Sequence, residues 1–345
     1  MNGRDILNAL DMLDQDLVIE AKSVRSGKRH APGRLLMSAA VIVLAVIMAF
    51  SAVAASYGSE WFAEFFSGRS GKPMSQEDMD RIEANTAQIG QSQTRDGYKI
   101  TLESAFTDGK LAFFRFLLTA PEGTIFDADW YGSRGPCAIV NERGEDLVLD
   151  REGFYMGGGG WRHLPEQREN ELTLLYEIGA FYTGESLISD SVWTFYIDGL
   201  WKGYRDEEVG LRQEQLSDGL WSFEIRFPEG CERELELIEE PVTVLGVLGG
   251  AYLEPEYQMD PVAILSCRMR ALTVEIYFRS EKREEINADF GEIFAVMKNG
   301  DHIPLRRHGT APNKRNYLFD APIDLDQVDY LLFHDGTIIP VDSGS

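Results

Sequence analysis

Residues Asp96–Asp127 run DGYKITLESAFTDGKLAFFRFLLTAPEGTIFD. Tyr98, Ile100 and Leu102 alternate with polar residues, which is the period of a half-buried strand. Leu111–Leu118 is an almost unbroken apolar run of strand length, and the Thr107, Asp108, Gly109, Lys110 stretch between the two carries the Asp-Gly signal of a tight hairpin. The segment therefore predicts an antiparallel hairpin and opens an all-β region.

The same short runs, bounded by Gly, Asp and Asn, recur toward the C terminus. Cys137–Asn141, Leu147–Leu149, Glu171–Ile178, Val192–Ile197 and Trp221–Phe227 are expected strands of a first β-sandwich over residues 94–230, with Gly157–Gly160 as a loop. A second set over residues 231–345 comprises Leu235–Ile238, Val242–Leu248, Ala263–Cys267, Leu272–Phe278, Ile293–Met297, Tyr330–Phe333 and Ile338–Val341. Hairpin turns are expected at Asn299–Asp301 and at Asp335-Gly336. The fold class read from this pattern is mainly β: two tandem antiparallel β-sandwiches of immunoglobulin-like type.

Upstream the composition changes. Leu35–Ser56, LLMSAAVIVLAVIMAFSAVAAS, holds no charge, and a run of that length matches the roughly 20 helical residues that cross a bilayer. Lys22, Arg25, Lys28, Arg29 and Arg34 precede it, whereas Glu60 and Glu64 follow it. The positive flank places the N terminus in the cytoplasm and the β region outside the cell. A cleaved signal peptide is the alternative, with Ala52–Ala55 as the small-residue cleavage tract. Residues 57–93 are expected to form a stalk: Trp61, Phe62, Phe65 and Phe66 recur at helical spacing, suited either to the membrane interface or to core packing, and Ser75 with Asp78 begins a second helix running to about Gln88.

The N-terminal residues 1–34 contain one amphipathic pattern. Ile6, Leu7, Leu10, Leu13, Leu17 and Val18 line one stripe of a helix over Asp5–Ala21, while Asp5, Asp11, Asp14, Asp16 and Glu20 occupy the polar face. So short a helix is marginal alone, and residues 1–34 offer no second apolar segment to cover it. Anionic headgroups would repel its acids, so a basic cytoplasmic protein is the expected partner, with Ile6, Leu7, Leu10, Leu13 and Leu17 as contacts; self-association is the other option.

The chain carries 33 basic against 57 acidic residues, for a net charge of −24. A surface of that sign repels phosphate backbones and excludes nucleic acid as a partner; an unidentified extracellular ligand would on this ground be cationic. Three cysteines, Cys137, Cys231 and Cys267, have no metal-ligand spacing and are expected as buried thiols. The five histidines form no HExxH, and neither a GxSxG elbow nor a P-loop is present. Asp127 with Asp129, and Asp324 with Asp326 and Asp329, are read as acidic turns rather than cation sites. No catalytic, cofactor-binding or metal-binding residue is expected, and the chain does not read as an enzyme.

Four features together resemble the membrane-anchored anti-sigma-factor proteins of Gram-positive bacteria (Firmicutes), whose ectodomain of unknown function precedes a second small β-domain. They are Asn8–Ala21 (NALDMLDQDLVIEA), the single span after a basic cluster, Asp96–Asp127, and Asp324–Val341 (DLDQVDYLLFHDGTIIPV). The resemblance implies a sigma factor of the extracytoplasmic-function class as the cytoplasmic partner, and a single-pass cell-membrane protein that adjusts transcription in response to an outside event. The competing expectation is a surface-anchored adhesion or wall-binding module, in which the cytoplasmic residues serve topology alone.

Overall fold

The computed structural model describes residues 58–134, 137–144, 146, 158–168, 170–180, 187, 191–206, 210–231, 233–248, 259–280 and 288–341. The expected N-terminal helix with Ile6, Leu7, Leu10, Leu13 and Leu17, Arg34, and the expected span at 35–56 lie outside these residues. Among the described residues no helix is long and apolar enough to cross a membrane.

Helix α1 spans residues 58–70 and α2 spans Gln76–Ala84. A reciprocal cap starts α2: Ser75 Oγ accepts from Asp78 N at 3.1 Å and Asp78 Oδ2 accepts from Ser75 N at 2.9 Å. The helix stops at Ala84, short of the expected Gln88, because Thr86 already begins a strand.

In the first β region the strands are β1 (Thr86–Arg95), β2 (Tyr98–Thr107), β3 (Leu111–Thr119), β4 (Trp130–Gly132), β5 (Ala138–Asn141), β6 (Gly158–Arg168), β7 (Glu171–Gly179), β8 (Trp193–Asp206) and β9 (Gly210–Ile225). Five form a sheet in the order β1-β2-β3-β7-β6; in another sheet β8 pairs with β4, β5 and β9. All named pairs are antiparallel. The two sheets enclose one core that includes Phe114, Phe116, Trp193, Phe195, Trp221 and Phe223, a sandwich-like arrangement.

At one side the sheets are joined by side chains instead of a strand. The Gln91 amide donates to Glu224 O at 2.8 Å and accepts from Glu224 N at 3.0 Å, and Gln93 repeats the exchange with Ser222 two residues along. These amides satisfy part of the backbone edge of β9, which would otherwise be open for pairing.

The predicted hairpin is present as β2–β3, and Gly109 takes φ +89° in its turn, a backbone region that favours glycine. β3 is apolar except for Arg115 and Thr119 because it is central and covered on both faces. Ala112, Phe114, Phe116 and Leu118 enter the sandwich core, whereas Leu111 and Phe113 enter a separate cluster on the other side. In β2 a bulge between Leu102 and Ser104 shifts the alternation, so that Phe106 joins Phe113 on that second face.

The second β region contains β10 (Leu235–Glu236), β11 (Val242–Leu248), β12 (Met259–Met269), β13 (Thr273–Arg279), β14 (Ala288–Asp289), β15 (Ile293–Met297), β16 (His302–Ala311), β17 (Lys314–Leu318), β18 (Val328–Phe333) and β19 (Ile338–Pro340). They make one continuous sheet in the order β14-β11-β12-β13-β17-β16-β15-β18-β19, with β10 paired to β12. β16 serves both halves: residues 302–305 pair with β15 and residues 306–311 with β17. Val262, Ile264, Val274 and Ile276 from one half and Ala295, Leu331 and Phe333 from the other share a single, mostly aliphatic core.

Three expectations are corrected. Residues 158–160, expected as a loop, open β6 and pair with Glu177–Gly179 of β7. The described residues of the stalk expected at 57–93 are built into the fold: β1, which begins within it, is a strand of the first sheet, and Phe62 and Phe66 of α1 are fully buried. Phe62 and Phe66 therefore pack against protein and not against a membrane interface; their rings lie 5.7 and 5.1 Å from that of Phe106. Trp61 and Phe65 are half-buried in the same cluster, stacked on one another at 5.6 Å.

Candidate functional site: an arginine-lined cleft at the junction of the two β regions

Residues 58–345 form one compact unit, and the two β regions meet within it along a junction with two flanks. On one flank, Phe62 and Phe66 of α1 join Phe106, Leu111, Phe113 and Leu175 of the first region and Leu272 and Leu318 of the second. On the other flank stands Asp108, fully buried in the β2–β3 turn. Its Oδ1 accepts from Lys110 N (3.0 Å) and Leu111 N (2.8 Å) within its own turn. Its Oδ2 accepts from Leu272 N (3.0 Å) and Thr273 Oγ1 (2.8 Å), which belong to the second region.

Further charges sit behind that carboxylate. Glu275 is buried between Arg270, at 3.0 Å, and Lys314. Burial alone would raise the Glu275 pKa, but the cations Lys314 and Lys110 outweigh it and hold the group below its ordinary value. Burial also pushes the Lys110 ammonium down to about 8, although Glu275 pulls the other way.

Beside the aromatic flank the junction opens into a cleft of about 590 Å³, within the size range of small-molecule sites. Each wall comes from a different part of the chain. Phe65, Gly68 and Arg69 belong to α1, Arg162 and Glu177 to β6 and β7, and Arg306, Arg307 and His308 to β16; Leu318 and Asp320 complete it. Strand geometry explains Glu177: in β7 Leu172, Leu174, Tyr176 and Ile178 face the sandwich core, so Leu175 and Glu177 point to the junction.

The charges in the cleft are incompletely matched. Arg162 pairs with Glu177 at 3.0 Å, Arg306 pairs with Asp320, and Arg307 is held by Asp289. Arg69 must share what remains. Its Nη1 lies 4.0 Å from Glu177 and its Nε 3.6 Å from Asp320, both beyond hydrogen-bonding range, and Nη1 is buried without a hydrogen-bond partner. Burial lowers the Arg69 pKa from its ordinary value, yet a guanidinium stays charged. The group is placed over the Phe113 ring, 5.6 Å from its centre.

None of the residues singled out in the sequence forms this cleft except Phe65. The spacing of Trp61, Phe62, Phe65 and Phe66 identified the helix but not what covers it, and Trp61 instead carries the Arg115 guanidinium 5.0 Å from its ring centre. Arg69, Arg162 and Arg306 share no linear motif. The usable signal was the Arg306-Arg307-His308 run, an unusually basic stretch in so acidic a chain. The sign of the cleft is opposite to the net charge from which a cationic ligand was expected.

The acidic turns are occupied by protein donors. Asp127 accepts from Tyr204 Oη at 2.9 Å and Asp129 from Arg205 N at 2.6 Å. Asp324 pairs with Arg81 at 3.0 Å, and Asp326 takes both terminal nitrogens of Arg233 at 2.9 and 2.6 Å. Among the described residues no three His, Cys, Asp or Glu side chains converge as a metal site would require. Cys137, Cys231 and Cys267 are buried and not disulfide-bonded, and burial pushes the Cys137 thiol up to about 12, far from the range of a reactive nucleophile.

No protein-family model matches the chain, and no curated protein matches it. Among solved structures, the conserved domain protein from Bacillus anthracis is similar over 71% of this chain and 75% of its own, at 10% sequence identity and a TM-score of 0.44.

Proposed function

We infer that the chain is a single-pass membrane regulator whose outer β region binds a ligand and whose N-terminal helix docks onto a sigma factor of the extracytoplasmic-function class. In this reading residues 1–34 lie in the cytoplasm, residues 35–56 cross the cell membrane, and the two β regions, each an immunoglobulin-like sandwich, stand outside. The observation that carries it is the position of α1. This helix follows the expected span directly in sequence, and its last turn supplies Arg69 to the cleft. An event in the cleft thus touches the element that leads to the membrane, which an adhesion module has no need of. The uncovered apolar stripe at the other end of the span is the matching output.

The test is capture from cells that express the full chain. Wild type should retain a sigma factor, and the double substitution of Leu10 and Leu13 by Asp should abolish retention. Deleting residues 5–20 should change expression of a defined gene set. Equal capture by wild type and the Leu10/Leu13 variant would refute docking through the stripe, and unchanged transcription after the deletion would return the adhesion module to first place.

A further inference from the structure

The geometry points to the arginine-lined cleft as a binding site for a small phosphate-bearing anion. The assignment deepens the preceding reading, on which it rests for its place in signalling though not for the chemistry of binding. Four arginines line the cleft; Arg307 is paired with Asp289, which leaves Arg69, Arg162 and Arg306, from three separate elements, against two carboxylates, Glu177 and Asp320. One positive charge is left over. Arg69 is the group that shows it, because its buried Nη1 donates to nothing and both of its carboxylates stand too far off to accept. A buried donor without a partner is costly, and a ligand oxyanion at this point would satisfy it.

The class of anion follows from direction and charge. A carboxylate offers two oxygens in one plane and suits one or two guanidinium forks, whereas a phosphate presents oxygens tetrahedrally and can be met from three sides at once. Phe65 and Leu318 give the cleft an apolar wall, so a phosphate ester with a small organic group fits better than the bare ion. The net charge of −24 sets an upper limit on the ligand, because a long polyanion would meet repulsion from the rest of the surface. A phosphate ester with these properties exists both as a free metabolite-sized molecule and as a lipid headgroup, so the experiment distinguishes the two sources.

The full-length chain is titrated with glycerol 3-phosphate by calorimetry at low ionic strength. Saturable binding is expected, and Arg306→Gln and Arg162→Gln, both at solvent-exposed positions, should each weaken it at least about tenfold, the effect of one lost charge-assisted hydrogen bond. Arg279→Gln, at an exposed position outside the cleft, should leave it unchanged. Arg69→Gln is expected to remove binding, but the exposed variants keep the test valid should that buried substitution prevent folding. Absence of saturable binding, wild-type affinity in both exposed variants, or tighter binding of succinate than of glycerol 3-phosphate would overturn the assignment. In vesicles, competition by phosphatidylglycerol but not by phosphatidylcholine identifies the lipid headgroup, and absence of competition identifies the soluble ester. Sigma-factor capture depends on residues 5–20, so its failure leaves this titration standing, and a failed titration leaves capture standing.

Discussion

Phe66 and Asp108 stand on the same joint between the two β regions, and both are fully buried, but they are held by different physics. Phe66 lies among rings and aliphatic chains, with Phe106 and Phe113 edge-on at 5.1 and 5.5 Å. Its contribution is area removed from water, which is large, non-directional and tolerant of small displacements. Asp108 offers two oxygens to four donors and satisfies all of them only in one relative placement of the β2–β3 turn and the Arg270–Thr273 turn. The aromatic flank supplies adhesion, and the carboxylate flank supplies register. A joint with only the first would hold while being free to slide, and the cleft beside it needs both, because Arg69 and Arg162 must arrive at fixed positions relative to Arg306.

The sharpest way to break this division is Asp108→Ala. It strands four donors in a dry site and should cost on the order of 4 kcal/mol, the range for uncompensated buried polar groups. Denaturant unfolding followed by Trp fluorescence, which reports the first region through Trp193 and Trp221, should then separate from a probe of the second region. One coincident transition at wild-type stability would show that Asp108 sets nothing. Phe66→Ala comes next, at about 3–4 kcal/mol for a large aromatic removed from a packed site, with the two probes still coincident because the register contacts survive. If Phe66→Ala split the transitions and Asp108→Ala did not, the roles assigned to the two flanks would be reversed.

Alkaline pH sharpens the carboxylate flank without touching Asp108. With Lys110 lowered to about 8 in the folded protein from 10.5, the unfolded chain binds more protons than the native state between those values. Stability attributable to this group therefore rises as pH climbs from 8 to 10.5 and is lost again as pH falls through 8, by at most about 3 kcal/mol. Unfolding free energies measured at pH 7.5 and 10.5 should show wild type gaining relative to Lys110→Met. Parallel pH profiles for the two proteins would mean that the Lys110 ammonium is better solvated than its burial indicates.

The comparison also separates what the amino-acid sequence could and could not reveal. The β2–β3 hairpin was legible because Asp108-Gly109 and the flanking apolar runs are local signals, and the same holds for the Asn299–Asp301 and Asp335-Gly336 turns. β1 was not, since TAQIGQSQTR is exposed at half of its positions, interrupted by a bulge, and held across to β9 by glutamine amides that no periodicity announces. The α1 aromatics were placed on a helix correctly, but spacing fixes which residues share a face and not whether lipid or protein covers it. Asp108 looked like an ordinary turn residue. Its second oxygen reaches residues far along the chain, and so do the arginines of the cleft, whose excess of positive charge exists only after folding.

A last comparison tests whether burial, and not ion pairing as such, is what makes the joint specific. Arg233, near the start of the second region, makes a bidentate pair with Asp326 in the short turn Leu325–Gln327. The pair lies within the second region and its charges are well aligned, but its side chains are 52% and 56% exposed. Water already solvates both partners, so the gain on pairing is small and salt screens it. Arg233→Ala should cost no more than ~1 kcal/mol at low salt and less still in molar salt, where the penalty of Asp108→Ala should persist because its site is closed to ions. Equal penalties for the two substitutions, or equal sensitivity to salt, would mean that Asp108 acts as a surface charge and that the register of the two regions is set elsewhere.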